Sequence, residues 1–137
     1  MPTYYIMDAG EDMAATVADA MPPGEAAWLT EAELRIYSDE YARVGFQGGL
    51  QWYRCRTEGV GLSELQLFSG RTIDIPSMFI AGRSDWGVYQ TPGAFEHMQG
   101  GACTQMVGCH LLEGAGHWVQ QEQPERVTAW LLGFLAG

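Results

Sequence analysis

Two short apolar runs, Ile75-Pro76-Ser77-Met78-Phe79-Ile80-Ala81-Gly82 and Val107 to Leu112, constrain this 137-residue chain more than any other feature of it. The first is closed by Gly82 and has the form of a parallel strand buried on both faces, and the second is a candidate neighbour for it. Between them Thr91-Pro92 places a proline at a helix start, so that Gly93 to Gln99 is expected to form the crossover helix of a βαβ unit. Two parallel strands make too narrow a sheet to stand alone, and no strand of comparable strength is visible between Met1 and Gly70. The expectation is therefore the carboxyl-terminal part of a larger α/β sheet, or a chain that completes its sheet with a partner.

The first third of the chain has helical patterning. Asp12 to Ala20 is rich in helix formers and is ended by Met21-Pro22-Pro23-Gly24, because proline has no amide to donate and clashes with the preceding turn. Thr30-Glu31-Ala32-Glu33 forms a capping box. Leu34, Tyr37, Tyr41 and Val44 follow at helical spacing, predicting one buried face and a left-handed stop at Gly45. Gly48-Gly49 is expected to break the chain before a helix over Leu50 to Arg56 that carries Trp52 and Tyr53. At the other end a helix starts at Pro124, with Val127, Trp130, Leu131, Phe134 and Leu135 on one face, as for an amphipathic helix lying on a sheet. A boundary between residues 68 and 69 thus separates a helical segment from an α/β segment.

Charge and cysteine usage exclude several functions. A net charge of −10 leaves no basic stripe, so binding to a phosphate backbone would be repulsive and nucleic acid is not an expected partner. Cys55, Cys103 and Cys109 are odd in number and lack CxxC spacing, and the three histidines are scattered. They are expected to be free thiols in a reducing cytoplasm, with no zinc site and no other cofactor. The amino terminus has no basic n-region, and no apolar run approaches the roughly 20 residues of a membrane span.

Chemistry is concentrated at the ends of the two candidate strands. Asp85 lies just past the first, in Gly82-Arg83-Ser84-Asp85-Trp86-Gly87, and His117 just past the second, in Gly114-Ala115-Gly116-His117-Trp118. Adjacent parallel strands place such loops side by side, where a carboxylate can orient an imidazole. Acid before histidine is the α/β-hydrolase order. Spacing alone leaves a second reading open, in which Asp85 caps a loop and His117 is a satisfied turn residue. A nucleophile is harder to find: there is no Gly-x-Ser-x-Gly, no strand-to-helix turn precedes Asp85, and Arg83 is too bulky for Asp85-Trp86-Gly87 to make a strained aspartate elbow.

Three segments carry a family resemblance. Phe46-Gln47-Gly48-Gly49-Leu50-Gln51-Trp52-Tyr53-Arg54, Phe79-Ile80-Ala81-Gly82 with Asp85, and Gly114-Ala115-Gly116-His117-Trp118-Val119-Gln120-Gln121-Glu122 closely resemble the soluble epoxide hydrolases of the α/β-hydrolase superfamily, in order and with compatible spacing. The resemblance covers essentially the whole chain. It implies a partial α/β-hydrolase fold: a helical cap over residues 1–68, then the last βαβα unit of a parallel sheet over 69–137. It further implies that cap tyrosines donate hydrogen bonds to an epoxide oxygen while an aspartate attacks a ring carbon. Tyr53 matches one of these donors, and Tyr5, preferred over Tyr4, the other. A phenol is a neutral donor at pH 7 and can stabilise a developing alkoxide without bringing charge into an apolar pocket. On the same resemblance His117, oriented by Asp85, activates the water that hydrolyses an alkyl-enzyme ester to a vicinal diol, and Trp118 lines the pocket.

The departures from the family define what else is expected. No oxyanion-hole segment of the His-Gly-x-Pro type and no nucleophile elbow occur, so the partners implied are a small apolar epoxide and the missing amino-terminal half of the hydrolase core. The isolated chain is then expected to be inactive. Two other readings remain: a fragment like the haloalkane or haloacetate dehalogenases, and a non-catalytic remnant that binds an apolar ligand or a protein partner.

Overall fold

A computed structural model describes residues 8–18 and 26–137 of the chain. Its residues group into two compact units, one of Leu29–Thr72 and one in which Ile73–Gly137 pack with the described residues up to Trp28. The amino-terminal helix α1 spans Met13–Val17, and the Asp12 side chain accepts from the Ala15 amide at 2.8 Å, which satisfies one of the unpaired donors of its first turn. The proline stop expected at 22–23 lies outside the described residues.

The smaller unit is helical. Helix α2, Glu31–Val44, opens on the expected capping box: the Glu33 amide donates to the Thr30 hydroxyl, and the Glu33 carboxylate accepts from the Thr30 amide at 2.8 Å. It ends at Gly45, whose φ of 72° is positive but whose ψ of 176° is extended, so the stop is a turn-out of the chain and not the left-handed cap expected. Helix α3 spans Gln47–Glu58 and runs through Gly48-Gly49, correcting the expected break there. Both glycines fall in its first turn, where amides lack intrahelical partners in any case and glycine disrupts little. A short helix α4, Leu62–Gln66, follows. The expected burial of one α2 face is also corrected. No residue of α2 is buried, and Leu34, Tyr37, Tyr41 and Val44 remain exposed, with Tyr41 stacked on Phe46 at 4.5 Å.

The larger unit is a βαβα arrangement. Strand β1, Ser77–Gly82, pairs in parallel with β2, Met106–Leu112, in a register that sets Ile80 against His110 and Gly82 against Leu112. The crossover is α5, Ala94–His97, which passes into a turn of π-helix over Met98–Ala102. A short α6, Val119–Glu122, and then α7, Pro124–Ala136, complete the chain, with Pro124 in the first turn as expected. Alternation along β1 and β2 gives each face its own helix. Phe79 meets Phe95 of α5 edge-on at 5.7 Å, while on the other face His110 stacks on Trp130 of α7 at 3.5 Å. The strands are not buried on both faces throughout. Residues 77–80 are half-buried and only Ala81, Gly82 and Leu112 are fully covered, because neither strand has a further strand neighbour among the described residues. The core therefore sits at the carboxyl ends of the strands, where Leu112, Ala115, Val119 and Val127 cluster with Ile80 packed against them. No described helix is long and apolar enough to cross a membrane.

Candidate active site

The packed end of the sheet fixes the loop that carries His117. Ala115, 1% exposed, and Val119 are anchored in the core, so the residues between them must arch away from it. Gly114 begins the arch with φ of 74°, a conformation that disfavours any side chain. The loop after β1 runs against it: the Arg83 amide donates to the Leu112 carbonyl at 2.9 Å and the Ser84 amide to the Ala115 carbonyl at 3.0 Å. That approach requires glycine at position 82, where a β-carbon would lie 2.2 Å from the Gly116 carbonyl oxygen and 2.3 Å from that of Ala115.

These contacts bring the carboxylate and the imidazole together. Asp85 Oδ1 lies 3.0 Å from His117 Nδ1. A carboxylate only accepts, so Nδ1 carries the hydrogen and Nε2 is left as the basic nitrogen of the neutral ring. The same Oδ1 accepts from the Gly87 amide at 2.8 Å and caps the short 3₁₀ turn Trp86–Val88. Loop cap and imidazole partner, the two readings that spacing left open for Asp85, thus hold together. Its backbone, φ −71° and ψ 112°, is ordinary extended chain and shows none of the strain of a nucleophile elbow. The Asp85 side chain is 13% exposed and that of His117 51%, so the acid is sheltered while the ring faces outward. Trp86 lies nearly parallel to the ring at 6.0 Å, and Trp118 meets it edge-on at 5.3 Å.

The other expected residues are placed as follows. Tyr53 is on α3, largely exposed, and lines an open depression of about 380 Å³ with Tyr41, Phe46, Gly49, Leu50 and Trp52. Tyr5 lies outside the described residues. A separate apolar cavity of about 410 Å³, bounded by Met78, His110, Trp130 and Phe134, does not include Asp85 or His117.

Two neighbours of the histidine carry no expected role. Trp86 stands in the Asp85-Trp86-Gly87 segment and Glu122 closes the histidine segment, but only the folded chain brings either to His117. The Glu122 carboxylate accepts from the Gly116 amide at 2.6 Å and from the Trp118 amide at 3.0 Å. An Arg83–Glu113 ion pair bridges the two loops at their exposed rim, where such pairs contribute little.

The chain has counterparts among known proteins. Epoxide hydrolase A of Mycobacterium tuberculosis is 42% identical over 118 residues, covering 85% of this chain and 34% of that protein. Epoxide hydrolase 1 of Siraitia grosvenorii is 32% identical over 122 residues, covering 85% of this chain and 37% of its own length. Among solved structures, an epoxide hydrolase from an endophytic Streptomyces superposes with a TM-score of 0.80 at 35% identity, over 93% of this chain and 37% of that one. Epoxide Hydrolase A from Mycobacterium thermoresistibile gives a TM-score of 0.66 at 39% identity, over 85% and 35%. No protein-family model matches the chain. The chain spans about a third of the length of the curated relatives it matches. By sequence and by fold it is an epoxide hydrolase-like member of the α/β-hydrolase superfamily.

Proposed function

We propose that this chain supplies the acid, the base and a lid tyrosine of an enzyme that opens epoxides to vicinal diols through an alkyl-enzyme ester. The observation that carries the reading is the 3.0 Å contact between Asp85 Oδ1 and His117 Nδ1 at the ends of two adjacent parallel strands. Its context is a chain homologous to epoxide hydrolases. With Nδ1–H held by Asp85, Nε2 takes a proton from water, and the resulting hydroxide attacks the ester carbonyl. The imidazolium so formed is stabilised by the adjacent carboxylate. Tyr53, with Tyr5 as the second donor, hydrogen-bonds the epoxide oxygen as the ring opens, and Trp118 forms part of the wall around the reacting carbon. In this reading residues 1–68 are the cap and 69–137 the end of the core.

The attacking carboxylate is assigned to a part of the hydrolase core outside these 137 residues, carried by the same polypeptide or by a partner. The chain by itself is inactive on this account, and its substrate is a small apolar epoxide. Its three free cysteines fit a reducing cytoplasm, and burial pushes the Cys109 thiol pKa up, away from reactivity. Its negative charge argues against a polyanionic partner.

The test is single-turnover kinetics on the chain joined to a core segment that carries an aspartate elbow. The 137 residues alone should release no diol, and the joined protein should. Asp85→Asn should slow ester hydrolysis by about 10²-fold or more while ester formation changes much less, since the imidazole acts only in the second step. Equal losses in both steps would refute the assignment. Release of halide from a haloalkane without diol formation from an epoxide would favour the dehalogenase reading.

A further inference from the structure

The His117 ring is half exposed, so burial does not hold it, and water competes with Asp85 for its Nδ1–H. Ala115 and Val119 are anchored in the core on either side of His117, but Gly116, the residue immediately before it, has no side chain to add to that packing. Packing thus fixes the two ends of the arch, and the backbone immediately around His117 needs a further restraint to keep the imidazole on Asp85. Glu122 is placed to do this, because its two carboxylate oxygens take one amide each from the residues on either side of His117. Its own backbone is tied to the same residue: the Glu122 amide donates to the Trp118 carbonyl at 2.9 Å while its side chain accepts from the Trp118 amide. One turn of α6 therefore folds the carboxylate back over the loop. Bonds from backbone amides to an ionised carboxylate are among the stronger hydrogen bonds in proteins.

We propose that Glu122 is a positioning residue, a two-oxygen clamp on the Gly116 and Trp118 amides that fixes the His117 backbone and so keeps Nδ1 in contact with Asp85. The inference rests on the reading of His117 as the base. Two carboxylates then divide the work: Asp85, on the β1 loop, bonds the ring, and Glu122, on α6, bonds the chain that carries it.

The experiment is NMR of the whole chain, following the His117 Nδ1–H proton and the exchange rates of the Gly116, Trp118, Arg83 and Ser84 amides. In the parent chain the Nδ1–H signal should be resolved and far downfield, as for an imidazole bonded to a carboxylate. In Glu122→Ala it should broaden into water, and the Gly116 and Trp118 amides should exchange about ten-fold faster or more. The Arg83 and Ser84 amides, which bond to the Leu112 and Ala115 carbonyls, should keep their protection. Glu122→Gln retains one acceptor and should fall between the two, releasing one amide more than the other. An unchanged Nδ1–H signal in both variants would overturn the proposal. So would equal loss of protection at Arg83 and Ser84, or collapse of the whole spectrum in both variants, because Glu122 would then support the fold at large. Since no substrate is involved, a failed diol assay would sink the proposed function and leave the clamp standing. A missing clamp beside normal diol formation would do the reverse.

Discussion

A methyl group at position 82 has nowhere to go: the atoms it meets are the backbone of Ala115 and Gly116, and neither can swing aside as a long side chain would. Gly82→Ala should therefore push the β1 loop off the histidine loop. The expected cost is about 1–3 kcal/mol of stability in urea denaturation, with loss of the downfield His117 Nδ1–H signal. An alanine variant with parent stability and an intact signal would show that the approach is looser than described. That Asp85 and His117 meet was legible at this scale, because short apolar runs followed by glycine-containing turns announce where a parallel sheet delivers its loops. The roles of Gly82, Trp86 and Glu122 were not. A close backbone approach, a ring stack and a side-chain bond to a main-chain amide all depend on which segments meet, and no spacing rule encodes that.

Helix α2 shows what a local signal does and does not settle. Thr30 and Glu33 satisfy one another's backbone amides within four residues, so the start of the helix needs no tertiary support and could be foreseen. The hydrogen bonds from the Thr30 side chain, and then its backbone, hold the Glu33 carboxyl pKa below the ordinary glutamate value of 4.5. A lowered carboxylate pKa means stabilisation that is complete above the ordinary value and lost as pH falls through Glu33's own lower one. On acid titration the Thr30 amide resonance should accordingly move at a lower pH than that of an unbonded glutamate neighbour, and far-UV circular dichroism should show α2 fraying with it. Thr30→Ala removes the hydroxyl but keeps the amide that donates to Glu33, so it should shrink the displacement without abolishing it; an unchanged midpoint would mean that the hydroxyl does not bond the carboxylate. The burial of Leu34, Tyr41 and Val44 was a different kind of expectation. Helical spacing says which residues share a face, but whether the face is covered depends on what else packs there. Strands β1 and β2 repeat the lesson: their existence, direction and carboxyl ends followed from the sequence pattern, whereas full burial would have required neighbours that the described residues do not provide.

At the scale of the whole chain, the packed interior among the described residues is small. Leu112, 1% exposed, is the largest fully buried side chain among the described residues and belongs to the cluster that pins the histidine loop. Leu112→Ala should cost about 2–5 kcal/mol, whereas Val107→Ala, exposed on the same strand, should change stability by less than about 0.5 kcal/mol. Similar costs at both positions in denaturant titrations would show that the core is not where the packing places it. The location of that core has a further consequence. Asp85 and His117 hang from a single strand–crossover–strand unit whose loops bond to each other through the main chain, so the pair is assembled without reference to any strand beyond β1. A break in the polypeptide on the amino-terminal side of β1 leaves Asp85 and His117 on one piece, already registered. The Asp85–His117 pair thus has a natural seam on its amino-terminal side, along which the enzyme proposed above could be rebuilt from interchangeable halves.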